Sequence, residues 1–172
     1  GGESAITNNE LWNGTNWTET ADLNEGRRLL CGAGISTSAL AFGGYDGSNS
    51  VNSTELWNGS SWAEQNNLST ARHELGGTGS TNTAAIGAGG YAPSGSAVTT
   101  ASEEWSANVP VGAWSTGGEM NTAKRQLAGG GSQTAGIAFG GENSGSANLA
   151  NTEQYNGTSW TEVNDLNTAR YL

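Results

Sequence analysis

Lysine is almost missing from this chain: Lys124 stands alone beside five arginines. Sixteen acidic residues oppose six basic ones, for a formal net charge of −10. A surface of that sign repels phosphate backbones and anionic headgroups, which argues against nucleic acid and membranes as partners. Histidine and cysteine are as scarce, with one His73 and one Cys31. A single cysteine excludes an intrachain disulfide. Set between Leu29-Leu30 and Gly32-Ala33, it reads as a small core residue. A single histidine cannot build a His-rich zinc or copper centre. No apolar run approaches the length of a bilayer-crossing helix, and no signal peptide opens the chain. The first residues are Gly1-Gly2, which reads as a processed or trimmed start, or as a window from something longer. Glycine is abundant (28 residues), yet seven tryptophans set the composition apart from that of disordered chains.

What is present is a repeat. Gly-Gly pairs recur at Gly1-Gly2, Gly43-Gly44, Gly89-Gly90 and Gly140-Gly141, spaced by 42, 46 and 51 residues. After each comes a variable polar loop, then a hairpin core. The cores contain Trp12 and Trp17, Trp57 and Trp62, Trp105 and Trp114 (the stretched copy), and Tyr155 and Trp160. Asn-Gly between aromatic strands is a strong hairpin signal, because both residues tolerate positive φ. A leucine or methionine follows (Leu23, Leu68, Met120, Leu166), then a basic residue four positions on (Arg27, Arg72, Lys124, Arg170). Two short apolar segments lead to the next glycine pair. Sustained helical periodicity is missing throughout. Each unit therefore predicts four short strands, and the chain predicts as all-β. The units run approximately over 1–42, 43–88, 89–139 and 140–172 of a single array.

A four-stranded unit of 45–50 residues fits the blade of a β-propeller. A glycine pair ending the second strand, an aromatic in the third and a tryptophan in the fourth resemble the kelch repeat. The local form, Glu-x-Trp-Asn-Gly-x-Ser-Trp followed by Leu-Asn-Thr-Ala-Arg, resembles kelch-like repeats of virion and tail-associated proteins of marine bacteriophages, notably those of cyanobacteria. The resemblance implies about three and a half blades, with complete sets over residues 27–65, 72–117 and 124–163. It also implies either a partial ring or part of a larger propeller. Such an arc leaves apolar faces to be covered by further blades, from the same longer chain or from another copy.

The candidate chemistry is sparse. Some kelch propellers are galactose-oxidase-like copper enzymes, but the ligands for that centre are missing here, so the resemblance carries fold and not activity. No cofactor is expected. His73 reads as a surface or blade-edge residue. Arg27, Arg72, Lys124 and Arg170 recur at one phase, which predicts a structural role. The expected partners are the repeat carboxylates Glu10, Glu55, Glu104 and Glu153, or loop carbonyls. The neighbours Glu103 and Glu104 point to opposite faces of a strand and cannot act together. Strict repetition of the aromatic pairs predicts packing between blades rather than sugar platforms. The candidate contact residues lie in the variable loops: Tyr45, Asp46 and Asn49; Tyr91 and Pro93; Asn108 and Pro110; Glu142 and Asn143. The Asp46 loop has too few carboxylates for calcium. Asn-x-Ser/Thr triplets coincide with hairpin turns, which explains them without glycosylation.

The expected function is a non-enzymatic structural or interaction module, in a phage virion (a tail fibre, for example) or extracellular, presenting variable loops for host attachment. Its partners would be other virion proteins or a surface glycan or receptor. Two alternatives stand beside it: a lectin-like carbohydrate-binding propeller, and a fragment of a propeller enzyme whose catalytic residues lie outside this stretch.

Overall fold

A computed structural model describes residues 4–92, 97–107 and 112–172, and among them no helix occurs. The first two strands, β1 (Glu10–Trp12) and β2 (Trp17–Glu19), form a two-stranded antiparallel sheet. The second sheet comprises β3 (Cys31–Ile35), β4 (Ser38–Phe42), β5 (Thr54–Trp57) and β6 (Trp62–Glu64). The third comprises β7 (Gly76–Thr81), β8 (Ala84–Ala88), β11 (Ser102–Ser106) and β12 (Ala113–Thr116). A small ribbon of β9 (Tyr91–Ala92) and β10 (Ala97–Val98) projects from it. The fourth comprises β13 (Ala128–Ser132), β14 (Ala135–Phe139), β15 (Thr152–Tyr155) and β16 (Trp160–Val163). Each large sheet is an antiparallel meander in chain order.

The hairpin turns explain themselves. Asn58 Oδ1 accepts hydrogen bonds from the amides of Ser60 and Ser61, both at 2.9 Å. Asn13 and Asn156 make the same pair of bonds in their own turns. The glycine that follows each of these asparagines takes φ between 91° and 98°. These turns set the register, so Trp12 faces Trp17, Trp57 faces Trp62 and Tyr155 faces Trp160; Trp105 faces Trp114 in the same way.

The sheets pack face to face, with their first strands β3, β7 and β13 side by side. Glycine permits that approach: a Cβ on Gly77 would lie 2.5 Å from the Cys31 sulfur. One apolar cluster between the second and third sheets includes Leu40, Phe42, Leu68, Leu75 and Trp105. Another between the third and fourth includes Ile86, Met120, Leu127, Tyr155 and Trp160. Burial of this kind stabilises by about 25 cal/mol per Å² of apolar surface. Cys31 packs beside the first cluster, and burial pushes its thiol pKa up to about 11, which disfavours the thiolate.

The aromatic pairs do not all behave as expected. Trp57, Trp105, Tyr155 and Trp160 are buried, and Trp62 and Trp114 partly so. Trp12 and Trp17 are 46% and 64% exposed. They stack on each other at 5.5 Å, but their sheet has only two strands and no other sheet covers that face among the described residues. Between β1 and the second sheet lies a cleft of ≈ 860 Å³ lined by Leu11, Leu23, Leu30, Ile35, Trp57 and Trp62 among others. In the complete sheets the corresponding edge of the third strand is covered by the second strand.

Candidate functional site

Three of the four repeated basic residues form buried ion pairs. Arg27, Arg72 and Lys124 are almost fully buried. They pair with Glu55, Glu103 and Glu153 at 3.0, 2.6 and 3.1 Å. The second oxygen of each carboxylate accepts the backbone amide of Asn24, Ser69 or Asn121, three residues before the base. One glutamate thus clamps both ends of the Asn-Thr-Ala-Arg type of turn. In the third sheet the anchor is Glu103, not Glu104 as expected: Trp105 aligns with Trp57, which places Glu103 at the position of Glu55. Glu104 takes the place of Leu56 and faces the neighbouring sheet, where it accepts the Tyr155 hydroxyl. Glu10 and Arg170, the remaining members of this pattern, are both exposed and have no ion-pair partner among the described residues.

The glycine pairs join successive units. The second glycine of each pair donates to the carbonyl of the next unit's basic residue: Gly44 to Arg72, Gly90 to Lys124 and Gly141 to Arg170, at 2.8–2.9 Å. A Cβ on Gly89 would lie 2.5 Å from the Lys124 carbonyl oxygen, at φ +65°. Beside this seam runs a second series of backbone bonds, from Glu74 to Leu29, Gln126 to Glu74 and Leu172 to Gln126. Leu29, Glu74 and Gln126 all adopt positive φ (50–56°), a conformation that non-glycine residues hold only where the surroundings demand it.

On this seam two positions per unit vary. Isolated bridges set Arg28 opposite Tyr45, His73 opposite Tyr91 and Arg125 opposite Glu142. Their side chains interleave across the sheets. The Arg28 guanidinium lies 5.3 Å from the Tyr45 ring centroid, Tyr45 5.2 Å from His73, and His73 5.0 Å from Tyr91. Tyr91 lies 5.7 Å from the Arg125 guanidinium. Arg125 ends the row by pairing with Glu142 at 3.2 Å and Glu74 at 3.5 Å. Cation–π and aromatic contacts of this kind contribute about 0.5–1.5 kcal/mol each. His73 Nδ1 shares a hydrogen bond with Ser50 Oγ at 2.8 Å. Burial lowers the His73 pKa, Glu74 opposes it, and Arg125 and Arg28 add to the lowering, which favours the neutral imidazole.

The structure thus brings together Tyr45, Tyr91 and Glu142, each the residue after a glycine pair, with His73 at the centre of the row rather than apart from it. Asp46 is engaged in its own loop, accepting the amides of Ser48 and Asn49 at 2.7 Å, and these bonds lower its pKa. Asn143 likewise closes its loop by accepting the amides of Gly145 and Ala147. Pro93, Asn108 and Pro110 lie outside the described residues. Arg28 and Arg125 escaped the sequence reading. The signal was present, since both directly follow a repeated basic residue. No group of three or more His, Cys, Asp or Glu side chains suited to a metal occurs among the described residues.

The class defined by these features is an all-β chain of consecutive antiparallel sheets. The solved structure of YjhT is similar to it, with a TM-score of 0.70 at 15% identity, over 86% of this chain and 49% of that one. The chain spans about half the length of that structure. No protein-family model matches the chain, and no curated protein sequence does.

Proposed function

We propose that the chain forms part of a kelch-like β-propeller and works as a non-catalytic attachment module, in a virion or another extracellular setting. The observation that carries this reading is a segregation of side chains. In the three complete sheets the repeated residues are consumed by ion pairs and aromatic packing. The varied ones gather along one rim, beside the loops at 45–50 and 142–148. Loops on a rigid scaffold are the usual carriers of specificity. Further repeats, from a longer chain or another copy, would cover the exposed Trp12 and Trp17, fill the cleft beside β1 and supply partners to Glu10 and Arg170. Electron microscopy with an antibody fragment against residues 142–148 tests the setting. Label on particle tails or on the cell exterior is the expected result; label confined to the cell interior would exclude it.

The lectin-like reading is favoured by the rim row itself, which presents hydroxyl, imidazole and guanidinium groups in line. Screening on a glycan array separates the two readings. Saturable binding that is lost in Tyr91→Ala supports the lectin, and silence across the array leaves protein attachment in place.

A further inference from the structure

The rim row is a set of hydrogen-bonding ends without acceptors. His73 uses Nδ1 on Ser50, and its Nε2 has no partner among the described residues. The hydroxyls of Tyr45 and Tyr91 make no hydrogen bond there either, and the buried Nε of Arg28 has no partner. Among the described residues Arg28 also lacks a carboxylate within ion-pair distance, whereas Arg125 has two. The aromatic faces are occupied by their neighbours in the row. A ligand must therefore be held by ring edges and polar tips rather than by stacking.

Resting on the rim reading above, we propose that this row binds a short acidic saccharide, its carboxylate on Arg28 and its hydroxyls on Tyr45, His73 and Tyr91. Three arguments point to that chemistry. First, a purely structural row would repeat from unit to unit, as the buried ion pairs do. Instead, the residue after the repeated base is Arg28, His73, Arg125 or Tyr171, and the residue after the glycine pair is Glu3, Tyr45, Tyr91 or Glu142. Second, among the described residues one guanidinium has no carboxylate partner, and it stands beside several groups that both donate and accept. A single carboxylate among many hydroxyls matches that set. An acidic peptide would bring a line of charges to one cation, and a polyanion would be repelled by the net charge of −10. Third, the interlocked rings hold the row rigid, so little side-chain freedom is lost on binding. The successive separations of 5.3, 5.2 and 5.0 Å suit a di- or trisaccharide better than a single ring.

Titration calorimetry of the full chain tests this with three probes: a uronic-acid-terminated disaccharide, the same disaccharide with its carboxylate reduced to an alcohol, and triglutamate. Saturable binding of the acidic sugar is expected, with the reduced sugar at least about tenfold weaker, as a charge-assisted hydrogen bond warrants. Arg28→Gln should lose about the same factor and Arg28→Lys less, with unfolding temperatures showing that both variants fold. Equal binding of the two sugars, or an unchanged affinity in Arg28→Gln, would overturn the ligand assignment. If that binding were still abolished by Tyr91→Ala, the rim would remain the binding surface and only the ligand class would fall. Tighter binding of triglutamate would reassign the site to acidic peptides. No binding by any probe would sink the saccharide proposal, while the attachment reading would still be decided by the labelling experiment.

Discussion

The hydroxyl of Tyr155 donates to the carboxylate of Glu104 on the preceding sheet, and both residues depart from the repeat at once. Where Tyr155 stands, other units have Trp12, Trp57 and Trp105; where Glu104 stands, Leu11 and Leu56 occur. Trp57 and Trp105 spend their indole N–H on Ser36 and Asn82 carbonyls in their own sheets, at 3.0 and 2.9 Å. The phenol instead reaches across the interface. Tyr155→Phe should destabilise the chain by about 1.5–3 kcal/mol, the worth of a hydrogen bond to a charged group. Burial, then the bond to Glu104, raises the Tyr155 pKa. The folded state thus favours the neutral phenol, and this contribution is full below the ordinary value near 10 and lost as pH rises through the higher folded value. Urea unfolding from pH 8 to 11 checks both points, since the variant should lose part of the alkaline decline.

The buried Arg72–Glu103 pair gives a second prediction. Removing one partner by Arg72→Ala strands a buried carboxylate and should cost about 3–5 kcal/mol. Replacing both, as Arg72→Met with Glu103→Leu, should restore most of the loss, because two desolvated charges are exchanged for apolar contact. A double-mutant cycle by chemical unfolding measures it. A double variant no more stable than Arg72→Ala would mean that the bonds to the Gly89 and Ala101 carbonyls matter more than the charge pair.

Acid sensitivity should centre on Glu153. Burial raises its pKa, but the amide of Asn121 and the ammonium of Lys124 outweigh burial, and the net shift is downward. Its contribution is therefore present above the unfolded value near 4.3 and lost as pH falls through the lower folded value. Glu153→Gln should flatten the stability curve below about pH 4. A slope unchanged in that range would place the acid-labile group elsewhere.

His73 predicts a gentler effect of the same sign. Because its folded pKa is lowered, the unfolded chain takes up a proton first as pH drops below about 6.5. Stability from this group is complete above that value and declines below it until the folded imidazole charges. His73→Gln should remove this step, visible as a flatter pH dependence of the urea midpoints between pH 7 and 5.

The glycine seam can be tested by one methyl group. Gly89→Ala meets the Lys124 carbonyl oxygen and the Met120 side chain, at a φ of +65° that alanine resists. A loss of about 1–3 kcal/mol is expected from the backbone strain alone. Gly14→Ala, also at positive φ but with open space around it, should cost less. Thermal melts of the two variants compare clash with strain.

Much of this was legible in the residues. Asn-Gly between tryptophans dictated hairpins because local dihedrals suffice to make them. The Gly-Gly spacing announced the units, and the structure shows three complete four-stranded sheets over 31–64, 76–116 and 128–163. Arg27, Arg72 and Lys124, which recur at one phase of the sequence, are all buried and paired with a carboxylate. The third copy defeated the alignment, because its longer turn hid whether Glu103 or Glu104 held the repeat position. Only strand register, with Trp105 opposite Trp114, resolved that.

The amino-acid order by itself determined the all-β class and the hairpin register of the Asn-Gly copies, since these follow from turn chemistry and period-two patterning within a few residues of chain. It could not determine that Arg28, Tyr45, His73, Tyr91 and Arg125 form one row, nor that Trp12 and Trp17 face outward. Those depend on how one sheet stands against the next. That arrangement is set by side-chain volume and close backbone approach across stretches of dozens of residues, and these become definite only when the sheets are packed.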